Sequence, residues 1–168
     1  MKTAILQARG DGKGLLSFQR EQFVVSIGAG GIRADKQEGD HATPVGLLPL
    51  RHVLYRADRG LKPRTALPCA PIAPNDGWCD DPTYADYNKA VTLPYPGRHE
   101  SLWRDDHSYD LIAVLGWNDS SPERGRGSAI FLHLPTQSGV TEGCIALPEP
   151  QWRHLLAEGL TAIDIQGA

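Results

Sequence analysis

The sequence predicts a mostly β domain. Eighteen glycines and thirteen prolines break the chain into short apolar runs bounded by turn residues. One stretch alone, Trp152, Leu155, Leu156 and Leu160, spaces its apolar side chains as a helix does. With 168 residues the chain has the size of a single domain, 1–168, whose core needs no disulfides. A β-sandwich or barrel-like fold with little helix satisfies these observations.

In chain order, residues 2–8, 14–19 and 22–28 read as short strands, with Asp11-Gly12-Lys13-Gly14 as the hairpin loop between the first two. Gly28-Ala29-Gly30-Gly31 punctuates the chain before a short apolar step at Ile32. A polar stretch from Asp35 to Thr43 then leads into Gly46-Leu47-Leu48-Pro49-Leu50. Residues 50–56 form the next predicted strand, and Pro49, which has no N–H for a ladder, sets a break or an edge at its start.

Residues 57–88 hold Pro63, Pro68, Pro71, Pro74 and Pro82 and no long apolar run. Trp78, Tyr84 and Tyr87 predict that this segment is an ordered excursion packed on the domain, beside the functional site. Leu111 to Leu115 and Ala129 to His133 are compact apolar runs expected at the centre. Pro148-Glu149-Pro150-Gln151 opens the helix, with proline and acid in the first turn where both are favoured. Gly159 loosens its end, and residues 161–166 return as a strand.

Hydrophobic residues make up 40% and charged residues 22%, with a net charge of −3. No basic stripe points to a nucleic acid, and no apolar run is long enough for a membrane span. Met1 to Arg9 contains a lysine but no apolar h-region, so no secretory signal is expected. The three cysteines leave one over however they pair. Cys69 and Cys79 could bridge in an oxidising compartment with Cys144 free, or all three could be reduced, and both states stay open.

The chemistry concentrates in Ile130-Phe131-Leu132-His133 and Thr141-Glu142-Gly143-Cys144-Ile145-Ala146-Leu147. A thiol is a strong nucleophile only as thiolate, and an imidazole is the usual group that makes it one. Alone, Cys144 reads as a buried strand cysteine and His133 as a core histidine. Together, with Gly143 letting backbone N–H groups approach a developing oxyanion, they read as nucleophile, base and oxyanion hole. Histidine precedes cysteine here, whereas papain-like enzymes place cysteine first, and the sortase arrangement would need a base much farther upstream. Cys79, His99, His133 and Cys144 lack the close pairs of a zinc site, so no metal and no cofactor is expected. His41, His52, His107 and His154 need no special role. Asp40 reads as a turn aspartate bonded to its own backbone.

Thr141-x-Gly143-Cys144 after His133 resembles the [Ser/Thr]-x-Gly-Cys signature of the YkuD-type L,D-transpeptidases, which cross-link or remodel bacterial peptidoglycan. Upstream, Gly39-Asp40-His41-Ala42-Thr43-Pro44-Val45-Gly46 looks like the family's Gly-Asp-x-x-Thr-Pro-x-Gly turn. His99-Glu100-Ser101-Leu102-Trp103-Arg104, Tyr109-Asp110, Gly116-Trp117-Asn118 and Gly127-Ser128-Ala129-Ile130-Phe131 are similar to a proteobacterial branch. The likeness runs from about residue 24 to residue 168. The chain departs from it where Glu142 replaces a common histidine and Ala146 a common arginine.

The resemblance implies a YkuD-like β-sandwich with short helices, one of them after the cysteine. It also implies a thioester on Cys144 and stem peptides of peptidoglycan as acyl donor and amine acceptor, with the donor cut at stem position three or one. Thr141, Glu142, His99, Trp103 and Arg104 are the expected substrate contacts. Trp103 beside Arg104 reads equally as a stacking surface for a sugar or peptide plane with a partner for a stem carboxylate, and as a loop anchor with a solvated arginine. Hydrolysis by the same pair, as carboxypeptidase or muropeptide amidase, and peptidoglycan binding without turnover are the alternatives. The family's compartment is the periplasm or cell envelope. A cytoplasmic wall precursor or fragment suits the missing signal.

Overall fold

The computed structural model describes residues 1–167. β1 (Thr3–Gly10), β2 (Lys13–Phe18) and β3 (Glu21–Ser26) form an antiparallel meander. Its first turn is the predicted one: Asp11 and Gly12 lie at φ 55° and 72°, as a tight hairpin turn requires. Ala4, Leu6, Leu16, Phe18, Phe23 and Val25 point into the core while alternate residues face outward.

β4 (Ile32–Arg33) and β5 (Thr43–Pro44) make a small parallel pair. β6 (Gly46–Tyr55) is longer than the sequence predicts and runs through Pro49. Up to Pro49 it pairs with the last strand of the chain; from Leu50 onward it pairs with β11, below, with a register shift at Leu115. The proline therefore sits where the strand changes partner, and a missing N–H costs least there.

The proline-rich excursion is ordered, as expected. β7 (Cys69–Pro71) adds to the end of β6. β8 (Asp76–Cys79), β9 (Ala90–Thr92) and β10 (His99–Ser101) build a second sheet in the order β10-β8-β9. Cys69 and Cys79 lie on strands of different sheets as free thiols, so the structure takes the reduced state of the two left open.

β11 (Leu111–Leu115), β12 (Phe131–His133) and β13 (Ile145–Ala146) follow, then the helix α1 (Glu149–Ala157) and β14 (Ala162–Ile165). The main sheet runs β11-β12-β13-β3-β2-β1-β14-β6-β7, and the β11–β6 pairing closes it on itself around the larger core. The second sheet stacks on its outer face, giving the layered, mostly β architecture expected. β11 is buried on both faces: Leu111, Ala113 and Leu115 enter the larger core, Ile112 and Val114 a second cluster with Trp78, Leu102, Tyr109 and Phe131. That explains its uninterrupted apolar sequence. Among the described residues α1 is the one α-helix, and no helix is long and apolar enough to cross a membrane.

Trp152 anchors α1. It is fully buried and its Nε1–H donates to the Leu132 carbonyl at 3.0 Å. Trp152→Ala is expected to cost about 4 kcal/mol through the cavity it leaves, with the Leu132 carbonyl losing its donor as well. Urea unfolding of the variant beside wild type measures this.

Candidate active site

β12 and β13 run parallel, with Leu132 opposite Ile145 and His133 opposite Ala146. The pleat sends Leu132, Leu134, Ile145 and Leu147 into the larger core. Phe131 and Cys144 belong to the cluster on the other face, where His133 packs edge-on against Tyr109 at 5.2 Å. Sequence spacing and pleat together thus deliver His133 and Cys144 to the wall of one cavity of about 280 Å³.

The Cys144 thiol is almost fully buried and neutral. Its Sγ–H donates to the Ala129 carbonyl at 3.1 Å, and the Phe131 N–H donates to Sγ at 3.3 Å. Burial pushes the thiol pKa up, and the charges of Glu100 and Glu142 add to the rise, against the Phe131 N–H and Lys36. His133 is lowered to about 4, chiefly by burial, with the Arg104 charge in the same direction. Its Nδ1 lies 2.7 Å from the Leu134 carbonyl, which can only accept, so Nδ1 carries the proton and Nε2 keeps a lone pair. The resting pair is neutral thiol and neutral imidazole rather than an ion pair.

The turn before the cysteine is braced from both sides. Thr141 bridges to Gly28, and its hydroxyl accepts the Gly143 N–H at 3.1 Å and donates to the Cys144 carbonyl at 2.6 Å. The buried Thr43 hydroxyl donates to the Gly143 carbonyl at 2.9 Å while accepting the Gly28 N–H at 2.9 Å. Asp40 holds the turn that carries Thr43. It accepts the Gln37 and Ala42 N–H groups and pairs with the buried Lys36. Burial alone would raise the Asp40 carboxyl, but Lys36 and the two N–H groups hold it below its ordinary value.

Gly143 sits at φ 137°, and a Cβ there would lie 2.8 Å from the Ala42 carbonyl oxygen. Gly143→Ala is expected to destabilise the fold by about 1–3 kcal/mol. It should also slow acylation of Cys144 about 100-fold by displacing the nucleophile. Urea unfolding and intact-mass kinetics read the two effects separately.

The expected substrate contacts divide. Thr141, Glu142 and Arg104 line the cavity. Thr141 spends its hydroxyl on the turn, and Glu142 is exposed at the rim. Arg104 makes a two-pronged pair with Asp106 and lies over the Tyr109 ring at 5.2 Å.

His99 and Trp103 lie outside the cavity wall. The His99 Nδ1 is tied to the Gly97 carbonyl and its ring meets Tyr95. The Arg56 guanidinium covers the Trp103 ring at 3.5 Å. Trp103 therefore stacks on a cation of its own chain rather than standing free for a sugar.

Residues given no substrate role from sequence also line the wall, among them Glu38, Asp80, Glu100, Ser128 and Tyr109. Glu100 lines the wall and its neighbour His99 does not, because a strand sends His99 and Ser101 one way and Glu100 the other. The cavity is acidic, with Glu38, Asp80, Glu100 and Glu142 against Arg104. Asp80 also puts the excursion at the site, as the sequence predicts. Among the described residues no group of three or more His, Cys, Asp or Glu is arranged to hold a metal.

A family model described as the L,D-transpeptidase catalytic domain, YkuD, matches residues 5–158. The chain belongs to this family. The match extends the sequence resemblance back to the first strand and covers both His133 and Cys144. No curated protein sequence matches the chain. In this L,D-transpeptidase domain the Gly39–Gly46 segment braces the cysteine turn through Thr43 and Asp40.

Proposed function

We propose that this domain cross-links stem peptides of peptidoglycan in the cell envelope through a thioester on Cys144. The observation that supports it most directly is the free Nε2 of His133 on the same cavity wall as the Cys144 thiol. The thiol turns from the Ala129 carbonyl toward His133, which takes its proton as Sγ attacks a donor carbonyl carbon. The oxyanion that forms is received by the Cys144 N–H, since the Gly143 N–H is held by Thr141. Gly143 contributes the backbone turn that aims this N–H.

Collapse breaks the donor C–N bond, and His133 returns the proton to the leaving amine. A second stem's amine then attacks the thioester, the C–S bond breaks, and the cross-link closes. Arg104 and Glu142 are the side chains at hand for the stem, with the bond cut after stem residue three or residue one.

Muropeptide mass spectrometry after incubation with peptidoglycan tests the proposal. New dimers together with a covalent adduct on the intact protein support it, and fragmentation identifies the stem residue joined. Trimmed stems without dimers would replace cross-linking by hydrolysis. No adduct and no product would reject it.

A further inference from the structure

Forming an amide from a thioester and an ammonium ion releases two protons from nitrogen. One ends on Cys144 Sγ, carried there by His133. The other must leave before the amine has a lone pair to attack with, because an alkylamine is protonated at neutral pH. The scheme above assigns no group to that first proton.

Glu100 stands where such a group is needed. It is the middle residue of β10, opposite Trp78 of β8, and reaches the cavity wall that holds Cys144. The Tyr109 hydroxyl donates to its Oε1 at 3.1 Å, and the buried Tyr109 ring packs edge-on against both His133 and Phe131. The other carboxyls of the wall are differently placed. Glu38 is held by the Tyr87 and Ser128 hydroxyls at 2.7 and 2.6 Å, Asp80 by Arg98 at 3.2 Å, and Glu142 is exposed at the rim.

We infer that Glu100 is the base for the acceptor: it takes the first proton from the incoming ammonium, so that the amine can attack the Cys144 thioester. This rests on the transpeptidase reading and deepens it. In the first step the ammonium gives one proton to the Glu100 carboxylate. The free amine then forms its bond to the thioester carbon and passes its second proton to His133. The C–S bond breaks with its electron pair on sulfur, and His133 returns that proton to Sγ. Glu100 releases the first proton to solvent.

The electrostatics agree. Burial raises the Glu100 carboxyl to about 7, Asp80 and Glu142 add to the rise, and the Tyr109 hydrogen bond and Arg104 oppose it. Cys144, which lines the same cavity, is neutral until acylated. A group that exchanges protons near neutrality suits this step better than His133, which is held far lower.

Glu100→Gln keeps an acceptor for the Tyr109 hydroxyl and removes the base. Wild type and variant are acylated with a donor stem peptide, and the thioester is then given a primary alkylamine or hydroxylamine, which is already neutral at pH 7. Alkylamine transfer is expected to fall about 100-fold, while thioester formation and transfer to hydroxylamine each fall less than about threefold. Alkylamine transfer by wild type should rise with pH and level off above about 7 as Glu100 ionises, whereas in the variant it should keep climbing with the fraction of free amine.

Equal losses with both acceptors, or an equal loss in thioester formation, would overturn the inference and leave Glu100 as a brace for Tyr109. A wild type that forms no thioester would overturn the transpeptidase reading itself. Glu100→Asp guards against misfolding of the amide variant. It should retain the wild-type preference between the two acceptors, and losing that preference as the amide does would count against a carboxyl base.

Discussion

Replacing Cys144 with alanine is expected to abolish both the covalent adduct and the cross-linked product, a loss of about 10⁴-fold or more. No other thiol can take over. Cys69 lies on β7, and Cys79 is buried on β8 with its Sγ toward the Asp81 carbonyl. Alanine also strips the Phe131 N–H of its acceptor, a penalty of about 1–3 kcal/mol. A loss of activity with alanine alone would therefore mix chemistry with folding. Cys144→Ser separates them, because a hydroxyl can keep both hydrogen bonds that the thiol makes to Ala129 and Phe131. Serine should restore stability without restoring the adduct. Intact-mass spectrometry beside urea unfolding reads the two quantities, and an active serine or alanine variant would remove Cys144 from the mechanism.

His133 should set the acid limit of acylation unusually low. With its imidazole lowered to about 4, the ring stays neutral and basic well below the ordinary histidine range. The rate of adduct formation is expected to hold from pH 7 toward pH 5 and to fall by half near pH 4. His133→Gln should lose about 10³-fold at every pH and show no such limb. A wild-type limb near 6.5 would mean that the ring is hydrated in the working state.

Stability carries the same signature. Between about pH 4 and 6.5 the unfolded chain binds a proton at this histidine that the folded chain refuses. This stabilising contribution is complete above the unfolded value and is lost as pH falls toward the folded one, about 3 kcal/mol in all. Glu100, raised to about 7, works in the opposite sense, losing stability as pH rises from its ordinary value toward 7. The two nearly cancel in wild type, so the difference between wild type and His133→Gln isolates the histidine. The variant should lose less stability than wild type on acidification, measured as urea midpoints at pH 7 and pH 5.

Local physics made much of this molecule legible from sequence. Asp11-Gly12-Lys13-Gly14 carried a hairpin-loop signal, whose turn falls at Asp11-Gly12, and Pro148 to Leu160 carried both a helix start and a helical apolar stripe. The apolar run Leu111–Leu115 belonged at the centre because nothing along it could face water. Cys144, His133 and Gly143 were readable as candidates because a thiol, an imidazole and a tight turn lie within one short stretch.

The remaining features depended on what packs against what. Strand alternation says that His99 and Glu100 face opposite ways, but only the pairing with β8 says which of them meets the cavity. Trp103 beside Arg104 suggested a free stacking surface, and a residue nearly fifty positions away, Arg56, covers it. Pro49 argued against a continuous strand until the change of partner from β14 to β11 made its missing N–H harmless.

By itself, then, the sequence determined the β class and the helix after Cys144, and it singled out His133 and Cys144 as the candidate pair, because these follow from periodicity, turn chemistry and residue type over short distances. The tertiary structure alone decided the closure of the sheet, the neutrality of Cys144 and His133 and the acidic wall around them. Those depend on burial and on charges brought together from distant parts of the chain.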